Sequence, residues 1–242
     1  MPGFEDLSPS LGVRRNALGQ PVGKALPGWK PCEKLPDIAL TGRLCAVVPF
    51  EAAHAAPLFA AFAAGGDDGL WTYMPYGPFA TAAELEATTQ DRMQNNGFHS
   101  FSIMPLKDRL PIGQASFLRY DPAHGSVEIG AIAFSAALKR STVATEALYL
   151  MMKHAFDHGY RRCEWKCDQL NLASNRAALR LGFRFEGVFR NAQVIKGRRR
   201  DTAWYSVILE EWPDVRARLE AWLSPDNFDE NGQQKTALSH LP

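Results

Sequence analysis

Apolar residues recur along the chain either at every second position or at every third to fourth, and the changes of period mark the elements. Alternation predicts strands over residues 41–48, 98–104, 112–120, 128–134, 162–168, 188–194 and 202–209. Helical spacing predicts helices over residues 51–64, 81–95 and 213–222, and two more that follow the strands ending at residues 134 and 168. This order of elements indicates one domain that mixes α and β structure.

The segment from Glu128 to Gly159 carries the clearest chemical signal. An apolar strand runs into a hydroxyl-rich turn, residues 139–146, which opens directly into a helix that Gly159 ends. The helix has the spacing of a buried face at Ala144, Ala147, Leu148, Met151 and Ala155. Unpaired backbone N–H groups at such a helix start point outward at the positive end of the dipole. The segment therefore predicts a site for an anion such as a pyrophosphate.

Further motifs follow in a fixed order along the chain, and their order and spacing together are more specific than any one of them. They are Lys139, Thr142, Ala144, Thr145, Glu146, Ala147, Asn171, Ser174, Gly182-Phe183, Glu186-Gly187, residues 201–206 and residues 211–212. Over about residues 38–223 the chain resembles the GCN5-related N-acetyltransferase superfamily, and within it the ribosomal-protein N-terminal acetyltransferases. The resemblance implies an acyl-CoA N-acyltransferase fold of the α/β (α+β) class. Its mixed, mostly antiparallel central sheet would have flanking helices and would splay after the Glu128 strand.

The resemblance also implies which residues hold acetyl-coenzyme A. The end of the strand usually contributes backbone N–H groups, the turn holds the pyrophosphate, and the next helix adds further contacts. The corresponding residues are Ile132, Ala133, Phe134, Lys139, Arg140, Ser141, Thr142, Val143, Ala144, Thr145, Asn171 and Asn175. The chain departs from the family pattern at Lys139 and at Thr142, which replaces a glycine. Because threonine does not tolerate φ > 0 as glycine does, we expect a different backbone path, on which the hydroxyls of Ser141, Thr142 and Thr145 donate to the anion. The alternative is that these hydroxyls only cap a helix.

Glu128 is the predicted catalytic base. A carboxylate among apolar neighbours has a raised pKa, and strict alternation would place Glu128 on one face with Gly130, Ile132 and Phe134. The alternative is an exposed strand charge or a structural ion pair with Arg119.

The second predicted catalytic residue is Ser174. Many acetyltransferases place a tyrosine acid seven residues after the asparagine, where this chain has Ala178. Ser174 is then the best placed hydroxyl to supply a proton, with capping or packing as its alternative role.

The densest aromatic segment, residues 71–79, follows the first helix, where the family forms a substrate wall. Trp71, Tyr73 and Tyr76 are therefore predicted substrate contacts, although aromatic residues are more often part of a core.

Composition narrows the class of protein. The chain has 242 residues, 46% of them hydrophobic, and a formal net charge of +1. This near-neutral balance argues against nucleic-acid and membrane partners. Four cysteines without a C-x-x-C pair are typical of reduced thiols in the cytoplasm. His154 and His158 lack a third ligand at a recognisable spacing, so no metal is predicted.

Three functional hypotheses remain open at this point. The first is acetyl transfer from acetyl-coenzyme A to a primary amine, either a protein N-terminus or a small amine, by direct attack. The second is a non-catalytic acyl-coenzyme A binding or regulatory protein, suggested by Thr142 and Ala178. The third, a ribosome or RNA-binding module, depends on the charged cluster at residues 196–201. For domain organisation we expect an N-terminal arm over residues 1–37 packed by Val22 and Trp29, a catalytic domain over 38–223, and a tail over 224–242.

Overall fold

The computed structural model describes residues 14–66 and 68–241. It divides into two units, one ending at Pro31 and the other beginning at Cys32. In the first unit, strand β1 (Arg14–Arg15) pairs antiparallel with β2 (Pro21–Val22). The side chains of Val22 and Trp29 are exposed, and the predicted packing of the arm stays a prediction. Residues 1–13 of that arm lie outside the described residues.

The second unit is built on an eight-stranded sheet, counted within the described residues. Its strands are β3 (Leu40–Thr41), β4 (Cys45–Pro49), β5 (His99–Pro105), β6 (Gly113–Asp121), β7 (Ser126–Phe134), β8 (Arg162–Asp168), β9 (Arg184–Ile195) and β10 (Arg198–Ile208). The order across the sheet is β3-β4-β5-β6-β7-β8-β10-β9, antiparallel except between β7 and β8. The predicted fold class, a mixed and mostly antiparallel sheet with flanking helices, is confirmed.

Helices cover both faces of this sheet. They are α1 (Ala55–Ala63), α2 (Ala82–Asn95), α3 (Thr142–Asp157), α4 (Leu172–Leu181) and α5 (Trp212–Leu223). The larger core packs α3, α4 and α5 against one face, whereas a smaller cluster packs α1 and α2 against the other. The connection from β7 through α3 to β8 makes those two strands parallel neighbours, as such a crossover requires.

Glu146 of α3 fixes the start of the sheet. Its carboxylate, 5% exposed, accepts hydrogen bonds from the backbone N–H groups of Arg43 (2.9 Å), Leu44 (2.7 Å) and Cys45 (2.9 Å). Arg43 and Leu44 lie in the turn between β3 and β4, and Cys45 is the first residue of β4. The single strand predicted over residues 41–48 is therefore wrong, because the chain reverses there around a buried carboxylate.

The last hairpin is longer than its alternation suggests. Strands β9 and β10 meet at a two-residue turn, Lys196 (φ 49°) and Gly197 (φ 72°), whose positive φ angles match the twist of a tight hairpin. The C-terminal segment, predicted as a polar tail, packs onto the domain. Leu238 is 2% exposed, and the indole of Trp222 donates to Gln234 (2.8 Å).

Candidate active site

The strands β7 and β8 separate where the candidate site begins. They pair from Ser126–Arg162 to Glu128–Glu164, after which β8 continues to pair with β10. The backbone of β7 beyond Glu128 is consequently open on the side that faces β8. The splayed sheet predicted after the Glu128 strand is present.

Glu128 lies at this point of separation with 2% of its surface exposed. Its Oε2 is 3.3 Å from Lys166 Nζ and 3.4 Å from Arg119 Nε. Burial raises the pKa of Glu128 to about 7, although Lys166 and Arg119 oppose that rise; the nearby Glu164 adds to it. Of the two alternatives for Glu128, the exposed charge is wrong. The ion pair with Arg119 is real and coexists with the raised pKa that a general base requires.

A β-bulge follows Glu128 and changes the predicted faces of β7. Between Gly130 and Ala133, β7 advances three residues while β6 advances two, and Ala131 has φ 51°. The extra residue reverses the alternation, so Ile132 and Phe134 pack toward the larger core. The prediction that they share a face with Glu128 is wrong for this reason.

Gly130 makes room for the carboxylate on the face it shares with Glu128. A Cβ atom at Gly130 would lie 2.7 Å from Glu128 Oε1 and 3.0 Å from Leu118 Cδ2. A larger residue at this position would therefore displace the Glu128 side chain.

The predicted anion site is the N-terminus of α3. Ser141 is its N-cap, and its Oγ accepts the N–H of Ala144 (3.0 Å). The N–H groups of Thr142 and Val143 stand at the helix start, where no preceding turn supplies a carbonyl. Lys139 and Arg140 are exposed beside them.

Thr142 does not need the conformational freedom of the family glycine. It is the first residue of α3, and the positive φ of the turn (59°) is at Arg140 instead. The backbone path thus has its left-handed residue two positions earlier. The capping alternative is correct for Ser141, and a helix start that is capped by one hydroxyl remains open to an anion.

Thr145 lies one turn into α3 and is buried. Its Oγ1 accepts from Arg180 Nη1 (3.0 Å) and is 3.5 Å from the carbonyl of Ser141. The hydroxyl therefore links α3 to α4. Its predicted contact with the cofactor stays a prediction.

The three polar residues at the start of α4 have different hydrogen-bonding roles. Asn171 is the N-cap, since its Oδ1 accepts the N–H of Ser174 (3.1 Å). Asn175 donates to the carbonyl of Asn171 (2.7 Å) and accepts from the hydroxyl of Tyr205 (2.5 Å). Asn175 thus braces α4 against the sheet, and contacts of these asparagines with a cofactor stay predictions.

Ser174 faces β8. Its Oγ accepts the indole N–H of Trp165 (3.0 Å). Burial raises the pKa of the Cys167 thiol, and a hydrogen bond with Ser174 acts in the opposite direction. The Ser174 oxygen therefore accepts from Trp165, and its own proton remains available for donation, with Cys167 as its neighbour.

The predicted substrate residues divide between a core and a surface. Trp71 is buried and packs edge-on against Phe62 (5.4 Å between ring centroids) and Phe79 (4.9 Å). Tyr76 stacks on Phe79. Tyr73 is half-buried, and its hydroxyl donates to the carbonyl of Leu170 (3.2 Å) in the turn after β8. We call residues 71–79 the wall loop.

The tip of the last hairpin holds the wall loop in place. Lys196 Nζ donates to the carbonyl of Trp71 (2.8 Å), and Arg198 Nη2 donates to the carbonyl of Thr72 (3.2 Å). The charged cluster at residues 196–201 thus partly serves to anchor the wall loop.

Lys166 is a site residue that the sequence analysis missed. On β8 the charged residues Arg162, Glu164 and Lys166 alternate with apolar ones and so form a polar face. Because the βαβ connection makes β7 and β8 parallel neighbours, that face continues the face of Glu128. The alternation on β8, combined with the rule that a βαβ connection joins parallel strands, could have identified Lys166 from the sequence.

Two absences hold for the part of the chain that the structure describes. Among the described residues, no helix is long and apolar enough to cross a bilayer. In the same residues, no group of three or more His, Cys, Asp or Glu side chains is placed to hold a metal ion.

Comparison with known proteins identifies the family. The model of the acetyltransferase (GNAT) domain matches residues 45–184. A GCN5-related N-acetyltransferase from Brucella melitensis is 40% identical with a TM-score of 0.85, over 88% of this chain and 98% of that chain. A protein described as a probable acetyltransferase (GNAT family) from Chromobacterium violaceum ATCC 12472 is 39% identical with a TM-score of 0.75, over 80% of this chain and 98% of that chain.

The ribosomal-protein-S5-alanine acetyltransferase from Vibrio fischeri shares the fold at 16% identity and a TM-score of 0.58, over 73% of this chain and 99% of that chain. Among curated proteins, none matches the chain. The family model matches more than half of the chain, and a solved structure of the family is 40% identical to it. Together these matches show the family. The protein is a member of the GCN5-related N-acetyltransferase family, and the predicted resemblance is confirmed.

Proposed function

We propose that the protein transfers an acetyl group from acetyl-coenzyme A to a primary amine by direct attack of the amine on the thioester. The observation that carries this proposal is Glu128, a buried carboxylate with a pKa of about 7 where β7 and β8 separate. An amine is protonated at neutral pH and must lose a proton before it attacks. A base whose pKa lies near the working pH is suited to that task.

The residues around the opening fit acetyl-coenzyme A. The start of α3 offers the N–H groups of Thr142 and Val143 and the charges of Lys139 and Arg140 to the pyrophosphate. The unpaired side of β7 beyond the bulge offers backbone N–H groups to the pantetheine and the thioester oxygen. When bound, acetyl-coenzyme A would supply the acetyl group in an activated form.

Glu128 would then take one proton from the ammonium, directly or through a water molecule. Lys166 and Arg119 favour the ionised carboxylate and so keep its pKa near neutrality rather than higher. As the new C–N bond forms and the C–S bond breaks, the departing thiolate needs a proton. Ser174, whose oxygen accepts the indole N–H of Trp165, is the proposed donor. Its hydroxyl would be restored by the second proton, which the attacking nitrogen loses as the neutral amide forms.

The acceptor is either a protein N-terminus or a small amine. The wall loop bounds its side of the opening, and Tyr73 and Tyr76 are the proposed contacts. Trp71 supports them from the core. We also propose a reducing cytoplasmic location, because all four cysteines are free and three are buried; fractionation of the native host would test it.

The test combines turnover with binding. Acetyl-coenzyme A at about 100 times its Kd should stabilise the fold by roughly 2.7 kcal/mol. For a chain of this size that is a rise of about 5–10 °C in Tm. A panel of primary amines should release free thiol. Stabilisation without thiol release from any amine would favour the non-catalytic binding protein, and a Tm unchanged at millimolar acetyl-coenzyme A would refute cofactor binding.

A further inference from the structure

Three neighbouring side chains of β10 contain buried polar atoms without a partner. Arg200, Thr202 and Trp204 occupy alternate positions of β10. The irregularity between Arg200 and Thr202 places its extra residues on β9, so the three side chains share one face of β10. Arg200 Nε, Thr202 Oγ1 and Trp204 Nε1 are buried and lack a hydrogen-bond partner within residues 14–66 and 68–241. Thr202 as a whole is 3% exposed. Buried donors are nearly always paired in folded proteins, so three in a row point to a ligand.

This row of β10 continues the face that carries the base. Trp204 lies directly opposite Lys166 in the register between β10 and β8. Lys166 Nζ lies 5.3 Å from the centre of the Trp204 ring and 3.3 Å from Glu128 Oε2. Arg198, two positions before Arg200, reaches the wall loop at Thr72. The row therefore runs from the base toward the proposed acceptor side.

The charges on this face favour an anion beyond Glu128. Arg119 also lies against Trp204, at 5.0 Å from the ring centre. Glu128 neutralises part of the charge of Lys166 and Arg119, and Glu164 is bound by Arg162 (2.8 Å).

The two aspartates near Arg200 already have partners. Asp168 accepts from the N–H of Leu170 (2.9 Å), and Asp201 pairs with Arg199 (2.9 Å). Among the described residues, no carboxylate forms an ion pair with Arg200.

We propose that the row Arg200, Thr202 and Trp204 binds an anionic oxygen group, a carboxylate or a phosphate, on the amine acceptor. A guanidinium and an indole can only donate hydrogen bonds, and a hydroxyl can donate one, so the row suits an acceptor of hydrogen bonds. The charge on Arg200 favours an ionised group. The acceptor class is then a small amine with an anionic group, oriented so that its amine meets Glu128. This inference rests on the proposed acetyl transfer.

The test compares matched pairs of amines in the full chain. Amino acids are each paired with their amide, and phosphoethanolamine is paired with ethanolamine; kcat/KM is measured by thiol release. We expect the anionic member to be preferred at least tenfold in one of these classes. Arg200→Gln should lower that preference at least tenfold, mainly through KM. The matched control is Arg184→Gln, an exposed arginine of β9 that pairs with Glu211 (2.9 Å) away from this row, which should leave the preference unchanged.

Equal use of anionic and neutral amines, or a preference that survives Arg200→Gln, would overturn the proposal. Product binding provides a separate readout. N-acetyl amino acids and N-acetylphosphoethanolamine, but not their neutral counterparts, should raise the Tm of the wild type and not of Arg200→Gln. Absence of that difference refutes the anion site. A difference in Tm with no thiol release from any amine would instead refute the acetyl-transfer proposal and keep the site.

Discussion

Glu128 and Lys166 lie on adjacent parallel strands, with 3.3 Å between Oε2 and Nζ. Burial favours the neutral carboxyl and raises its pKa, and the ammonium counteracts that rise. The short distance between them therefore affects the pKa of the proposed base. Substitution of either residue should change the pH dependence of the rate in its own way.

Glu128→Gln should lower kcat by about 10² to 10⁴-fold. The amide keeps the shape of the side chain and removes the proton acceptor. In the wild type the rate should rise with pH and reach half its plateau near pH 7, because the base acts only when deprotonated. That acid limb should vanish in the variant, while the Kd for acetyl-coenzyme A is unchanged. A near-normal kcat with an intact limb would transfer the role to another group.

Lys166→Met should move the acid limb to higher pH. Losing the cation raises the pKa of Glu128, so more of the base is protonated at neutral pH. If the pKa of Glu128 rises by one, the rate on the acid limb falls about tenfold, and the rate should recover at alkaline pH. Lys153→Met, which removes a lysine paired with Asp157 on α3, is the control. An identical pH profile in both variants would show that Lys166 does not act on the base.

Asn171→Ala should cost about 1 kcal/mol of stability, because the cap of α4 is lost. If Asn171 also contacts acetyl-coenzyme A, its KM should rise as well. Thr81→Ala removes the equivalent cap of α2 and should cost a similar amount with normal kinetics. Urea unfolding and initial rates measured for both variants separate the two roles. If the Asn171→Ala and Thr81→Ala variants have the same kinetics, Asn171 acts only as a helix cap.

Glu146→Ala should destabilise the fold by about 3–5 kcal/mol, since three backbone donors lose a charged acceptor at once. The midpoint of guanidinium unfolding measures the loss. Glu86→Ala, which removes one hydrogen bond to Gln90 on α2, should stay within about 1 kcal/mol. A loss for Glu146→Ala as small as that of the control would mean that the β3–β4 turn is held by other contacts.

Periodicity predicted the elements because each long strand or helix buries one face. The cap Ser141 follows from its chemistry, as a hydroxyl oxygen accepts one of the first free N–H groups of a helix. The burial of Glu128 also follows from its apolar neighbours. These predictions depend on residues close together in the sequence.

Other features depend on contacts between distant segments and carry little local signal. The bulge at Ala131 sits in a run of small apolar residues, any of which could be the extra one. The turn at Arg43 and Leu44 forms around a carboxylate about 100 positions later. Trp71, a predicted substrate contact, packs in a core, because aromatic residues fit both places. Tertiary contacts decide such cases.

The hydrogen bonds from Lys196 and Arg198 to the wall loop join parts of the chain 125 and 126 residues apart. Closing so long a loop costs chain entropy that is recovered only once the sheet between them is in place. The part of the chain before Lys196 already includes the helix start at Thr142, but not the anchor of the wall loop. During synthesis, therefore, the start of α3, which is proposed to bind the pyrophosphate, can form before the residues that anchor the wall loop have been synthesised.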